Sequence, residues 1–206
     1  EFVAEVSAEI PLLVICELMG IPPEERAIFR HHVDIMLGGL DPTMDISEEE
    51  QTASMMAIFE QGTKLAQQHA ENPQDNLIAK LLDGTVDGES LSDMEFVTFF
   101  LLLIVGGIET TRTSTSHGMR LLMEHPEQYQ MLAENPELVP DAVEEILRFN
   151  PSFIHMRRTA MEDVELNGMK IKKGDKLVLM YDSANHDETV FGEDSEKFDI
   201  TRAQRM

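Results

Sequence analysis

No tryptophan occurs in these 206 residues, and there is a single cysteine, Cys16. One cysteine excludes an internal disulfide and fits a reducing, cytoplasmic setting. Its neighbours Val14, Ile15 and Leu18 mark it as a packed core thiol. Basic residues are scarce, 16 against 39 acidic, for a formal net charge of −23. That balance argues against a phosphate backbone, and so against nucleic acid as a partner. Long apolar runs are also lacking. The longest, Phe96 to Ile108, is too short to span a bilayer and contains Thr98, so no membrane span is expected. There is no phosphate-cradling glycine loop, no dinucleotide fingerprint after a strand, no His-Glu-x-x-His helix and no Gly-x-Ser-x-Gly elbow. His31-His32-x-Asp34 is not read as a metal site, because adjacent helical side chains point about 100° apart.

What is present is mostly helical periodicity. Phe2 to Met19 carries apolar residues at helical spacing, with Pro11 implying a kink or a displaced helix start. Gly20 stops it. A second helix is expected from Pro23 to about Leu37, and a loop from Gly38 to Ser47. A third, capped at Ser47, reaches Glu71, and a short one covers Asn76 to Leu82. Asp83 to Ser90 reads as an acidic turn. Leu91 to Glu124 reads as one long helix with a Ser92/Glu95 capping box, closed by His125-Pro126. Two more helices follow, Pro126 to Ala133 and Pro136 to Arg148. The pattern then changes. Val164 to Leu166, Asn167-Gly168 and Met169 to Ile171 form a hairpin with a two-residue turn, and Lys176 to Tyr181 is an apolar strand. Asp182 to Met206 reads as mostly irregular. The fold class is therefore mainly α with a small β region. The chain opens inside an apolar-periodic segment and stops without a closing element, so it is expected to be a piece of a longer protein.

The long helix breaks its own rules at the centre. Phe96 to Val105 is apolar almost all round, which predicts burial. Gly106 and Gly107 follow, each costing about 1 kcal/mol relative to alanine. Then come Glu109 and the hydroxyls of Thr110 and Thr111. Two glycines admit something flat against the backbone, and an acid beside a hydroxyl can pass protons. A glycine-kinked core helix with a solvated acid is the plain alternative. Two further features stand out. Glu145 and Arg148 are three apart on one helix face and can pair. His155-Met156-Arg157-Arg158-Thr159 lies between a helix end and a hairpin. Its adjacent arginines could grip a carboxylate or pair with the protein's own acids.

Taken in order, these segments resemble the cytochrome P-450 haem-thiolate monooxygenases. Gly106-Gly107-Ile108-Glu109-Thr110-Thr111 is similar to that family's long-helix motif, and Glu145-x-x-Arg148 to its Glu-x-x-Arg motif. Arg158-Thr159-Ala160 followed by Glu162-Asp163-Val164 is similar to its propionate-binding segment and the hairpin after it. Gly174-Asp175, Asn185-His186-Asp187 and the upstream turn Leu18-Met19-Gly20-Ile21-Pro22 continue the match across essentially the whole chain.

The resemblance implies a partial fold of that type over 1–206, the middle of the domain, without the N-terminal part and the C-terminal haem-ligand loop. The axial cysteine is absent, so no metal ligand lies in this chain and Cys16 cannot replace it. Haem b is the implied cofactor of the full-length parent, and the chain alone is expected to be inactive. Glu109 and Thr110 are the implied catalytic pair. Gly106, Gly107, His155 and Arg158 would contact haem or its oxygen. Glu145 and Arg148 would be structural, and Leu102, Val105, Gly106 and Ile154 would line an apolar pocket. The implied reaction inserts one atom of dioxygen into a C–H bond of a small apolar substrate. The branch is most like hydroxylases of sterol side chains, terpenes or alkyl chains, fed by a ferredoxin-type donor. The alternative of another class is a cofactor-free helical binding protein on the same scaffold. A peroxide-using haem enzyme is disfavoured by Glu109-Thr110.

Overall fold

The computed structural model describes residues 1–39, 41, 43–73, 75–86 and 88–202, with the side chain of Val86 left aside. Two compact units divide the chain at Arg112/Thr113. Each has its own apolar cluster.

The first unit is helical. A π-helical turn, Val3–Ser7, leads into α1, Glu9–Met19. Of the two outcomes expected at Pro11, the displaced start is the one found. Pro11 sits in the first turn of α1, where its missing N–H has no helical partner to lose. Gly20 closes α1 in the left-handed region, φ 71°, as a helix C-cap needs. Next, α2 covers Arg26–Gly38. It starts later than expected, because Pro22 to Glu25 form turns rather than a first helical turn. The 24-residue α3, Glu48–Glu71, opens on a complete Ser47/Glu50 capping box. Then comes α4, Leu77–Leu82, capped by Asn76, whose side chain accepts from Ala79 N at 2.9 Å. The stretch expected to be only a turn contains a small ladder, β1 (Thr85–Val86) against β2 (Glu89–Ser90).

The helix that carries the candidate chemistry is α5, Asp93–Glu124. Its capping box forms as expected: Ser92 N donates to Glu95 Oε2 at 2.9 Å, and Glu95 N to Ser92 Oγ at 3.4 Å. Phe96, Phe100, Ile104 and Ile108 are buried, one turn apart, against α1, α2 and α3. Each such side chain contributes roughly 1.5–3 kcal/mol by leaving water. The expected all-round burial does not occur: Phe99, Leu102 and Val105 stay exposed. Among the described helices, α5 is long and apolar enough to cross a bilayer by length and composition. A core helix passes the same measure, and one face of this one is packed in protein.

The second unit contains the end of α5, from Thr113 onward, and α6, Pro126–Glu134. A 3-10 turn, Pro136–Leu138, then leads into α7, Val139–Phe149. Its core gathers Leu121, Leu122, Ala142, Phe198 and Ile200. Strand β3, His155–Thr159, pairs antiparallel with β6, Lys176–Met180. Between them β4 (Val164–Leu166) and β5 (Met169–Ile171) form the expected hairpin. Its turn places Asn167 at φ 50° and Gly168 at φ 78°, the signature of a primed two-residue turn. Two short helices, α8 (Tyr181–Asn185) and α9 (Glu188–Phe191), occupy a stretch expected to be irregular.

Candidate functional site

The structure separates the two central glycines of α5. A Cβ on Gly106 would meet nothing within 4 Å, whereas one on Gly107 would lie 2.7 Å from Ile15 Cδ1 on α1. Gly107 is thus explained by helix packing. Of the two, Gly106 is the one that leaves open space beside the backbone. Leu102, Val105 and Gly106 share one face of α5 at i, i+3 and i+4. That face is uncovered, with Leu102 61% exposed while Phe100 and Ile104 are fully buried.

Glu109 and Thr110 come next along the same face. The Thr110 hydroxyl donates to the Gly106 carbonyl at 2.7 Å, one turn back. That back-bond fixes the hydroxyl hydrogen and aims the oxygen's lone pairs outward. Glu109 is not simply solvated. Arg112 Nη2 lies 2.5 Å from Glu109 Oε2, and Arg112 Nη1 lies 3.8 Å from Asp34 Oδ1 on α2.

In the second unit, Glu145 and Arg148 form a buried fork. Arg148 Nε donates to Glu145 Oε2 at 2.7 Å, and Nη2 to Oε1 at 2.8 Å. Arg148 Nη1 also donates to the carbonyls of Asn185 and Ser195, at 2.8 and 2.9 Å. Glu145 is 0% exposed, and it accepts a further bond from Asp199 N at 3.0 Å. Arg202 completes the knot. Its Nε reaches Glu145 Oε1 at 3.3 Å, and its two terminal nitrogens bond the Phe191, Asp194 and Lys197 carbonyls. Burial pulls the Arg202 pKa down, but bonds to Asp194 and the nearby Glu145 charge outweigh this and leave it raised. Asp194 is held below the usual carboxylate range, first by its bond from Arg202 and then by that charge. Arg202 was not foreseen, because it lies in a stretch without periodicity. The one signal was a basic residue following an otherwise acidic tail.

His155 and Arg158 both lie on β3 and are exposed. Successive strand residues alternate faces, so Met156 and Arg158 share one side and His155 and Arg157 the other. Ile154, just before β3, is exposed, and its carbonyl accepts from Tyr181 N at 3.0 Å. Cys16 is fully buried on α1, and burial pushes its thiol up to about 11. Such a thiol stays protonated at neutral pH and is no metal ligand.

Comparison with known proteins gives this geometry a family. The cytochrome P450 family model matches residues 26–142 and 135–204. A steroid C26-monooxygenase of Mycolicibacterium smegmatis is 40% identical over 204 residues, 98% of this chain and 46% of the relative. A methyl-branched lipid omega-hydroxylase of Mycobacterium bovis is 39% identical over 205 residues, 98% of this chain and 47% of the relative. The structure of CYP109E1 from Bacillus megaterium in complex with testosterone superposes with a TM-score of 0.89 at 31% identity, covering 98% of this chain and 54% of that one. The chain belongs to the cytochrome P450 family, and it spans just under half the length of the curated relatives it matches.

Proposed function

We propose that the full-length protein carrying this chain is a haem-dependent monooxygenase that inserts one atom of dioxygen into a C–H bond of an apolar substrate. The reading extends to its substrate class, a steroid side chain or the end of a lipid chain, in keeping with the names of the two relatives. A single observation carries it. The central turn of α5 exposes an apolar face beside a glycine, and the acid–hydroxyl pair Glu109-Thr110 follows at once.

The residues present fit haem b. Open space at Gly106 beside exposed Leu102 and Val105 suits a flat apolar ring. Arg158, a planar fork at an exposed strand position, suits a propionate. When bound, the haem supplies the iron that binds and activates dioxygen. The chain's own residues do the rest. Leu102, Val105 and Ile154 exclude water and hold the substrate. Gly106 leaves room for the oxygen. Thr110, with its hydrogen engaged at the Gly106 carbonyl, accepts a hydrogen bond from water and orders it. Glu109 holds and transfers the proton at its carboxylate. Arg158 anchors the cofactor, and His155, on the other face of β3, is a secondary contact at the strand's start. Glu145, Arg148 and Arg202 lock the second unit together. In this reading 1–206 is the middle of one longer domain that works in the cytoplasm and takes electrons from a ferredoxin-type donor.

The test is to express the full-length protein, load it with haem and reconstitute it with a ferredoxin and its reductase. Turnover of a C27 steroid and of a methyl-branched fatty acid under ¹⁸O₂ should give hydroxylated product carrying one labelled oxygen. Product labelled from water instead, or a protein that binds the steroid without taking up haem, would overturn the reading. The second outcome would favour the cofactor-free binding protein.

A further inference from the structure

Within the first unit, α3, α4 and the start of α5 border a cleft of about 500 Å³. That is within the range of roughly 300–1,000 Å³ typical of small-molecule sites. Its cause lies in the sequence of α3. Thr63, Ala66 and Ala70 fall at i, i+3 and i+7, on one helix face, and all three line the cleft. None is large, so α3 sends no bulky side chain toward the start of α5. Phe96 and Val97 form an apolar floor, 1% and 8% exposed, and Leu82 of α4 and Pro73 add apolar walls. The Thr63 hydroxyl is engaged by the Phe59 carbonyl at 3.0 Å and adds little polarity.

Two carboxylates stand at the rim. Asp83, at the end of α4, and Asp93, in the first turn of α5, both line the cleft and are exposed. His69 Nε2 lies 3.6 Å from Asp83 Oδ1, and it offsets that charge only when protonated. Among the described residues no lysine or arginine lines the cleft. The lysines of the two neighbouring helices are turned to other acids: Lys64 pairs with Glu25, and Lys80 lies 3.8 Å from Asp75. On α5 the first basic residue is Arg112. The positive end of the α5 dipole is met by Glu95 through the capping box, which leaves Asp93 to face the cleft. An apolar floor beneath two carboxylates repels an anion and gives a neutral ligand nothing to offer the rim. A cation with an apolar body suits both.

We propose that this cleft is a binding site for an amphipathic cation, an ammonium group on an apolar chain. Asp83 and Asp93 hold the ammonium, and the chain lies over Phe96 and Val97 beside Ala66 and Ala70. Occupancy ties α3, α4 and the start of α5 together. The proposal does not depend on the haem reading.

The experiment titrates octyltrimethylammonium into the full-length, haem-loaded protein by calorimetry. A quaternary nitrogen has no lone pair, so it cannot ligate iron. Binding is expected with a Kd of roughly 1 mM or tighter. Octanol and octanoate should each bind about fivefold more weakly or worse. Asp83→Asn combined with Asp93→Asn should weaken the cation about fivefold and leave octanol unchanged. Ala70→Leu, which fills the cleft from an exposed position, should weaken it about tenfold. Hydrogen exchange locates the site: the cation should slow exchange severalfold in Leu77–Leu82 and at the start of α5. No binding to the wild type, or octanoate binding as tightly as the cation, overturns the proposal. So does undiminished binding in the double asparagine variant, or protection confined to other segments. Both aspartates are exposed, so that variant keeps the test decisive if Ala70→Leu fails to fold.

Discussion

The residue with most at stake for stability is Glu145. It is fully buried, and its charge is met by Arg148 through two bonds, by Asp199 N and by Arg202. Removing Arg148 leaves that charge without its fork, a change that costs about 3–5 kcal/mol when a buried pair is broken. Arg148→Ala is therefore expected to lower the denaturant midpoint sharply. Arg202→Ala, which leaves the fork in place and opens several backbone carbonyls, should cost about 1–3 kcal/mol. Urea unfolding checks both, and equal losses would mean the two arginines share the load. The glycines of α5 give a second prediction. Gly106→Ala adds a methyl group into open space, so helix propensity alone should act and stabilise the haem-free chain by up to about 1 kcal/mol. Gly107→Val pushes into Ile15 and should destabilise by about 1–3 kcal/mol, with Ile15→Ala recovering part of the loss. The contrast also marks what could be read in advance. Glu145 and Arg148 are three apart, so their pairing is local and visible in the chain. Arg202 lies 57 positions from Glu145, and nothing local marks a partner that distant. Two adjacent glycines likewise look alike until the neighbouring helix fills the space beside one of them.

At the scale of elements, helix starts were legible because their chemistry is local. Ser47/Glu50 and Ser92/Glu95 each form a reciprocal box within four residues. These boxes carry a pH signature. Glu50 and Glu95 have carboxyl pKa values lowered from 4.5, first by the hydrogen bond from the serine hydroxyl and then by the serine backbone N–H. A carboxyl whose folded pKa is depressed contributes stability above its unfolded value, and loses it as pH falls through the folded one. Ser92→Ala is expected to cost about 1 kcal/mol at pH 7. The gap between wild type and variant should shrink as pH drops below about 4.5, the value from which Glu95 is lowered. Melting curves from pH 7 to pH 3 would show this, and a gap constant with pH would mean the Glu95 carboxylate adds nothing. Strand β3 was not legible for the opposite reason. His155 to Thr159 has no alternation of apolar and polar residues, and its partner β6 begins 17 positions beyond Thr159. Short helices such as α8 and α9 lack the length for a period to show.

At the scale of the whole molecule, the decisive question is what this chain can do with haem by itself. In the reading proposed above, the uncovered face of α5 would meet the ring and the Arg158 fork a propionate. The chain supplies no usable thiolate. Cys16, the lone cysteine, is 0% exposed on α1 with its pKa near 11. Ionising it at pH 7 would cost on the order of 5 kcal/mol, at about 1.4 kcal/mol per pH unit, before any cost of opening the core. Its neighbours in that core include Met19, Phe29 and Ile104, so reaching the surface would mean unpacking α1. Haem titrated into the 206-residue chain is therefore expected to bind weakly and to show no thiolate-type spectrum after reduction under carbon monoxide. Cys16→Ser should leave that titration unchanged. If a thiolate-type spectrum did form and Cys16→Ser abolished it, α1 would have to open in the isolated chain, and the packing of the first unit around Cys16 would be wrong.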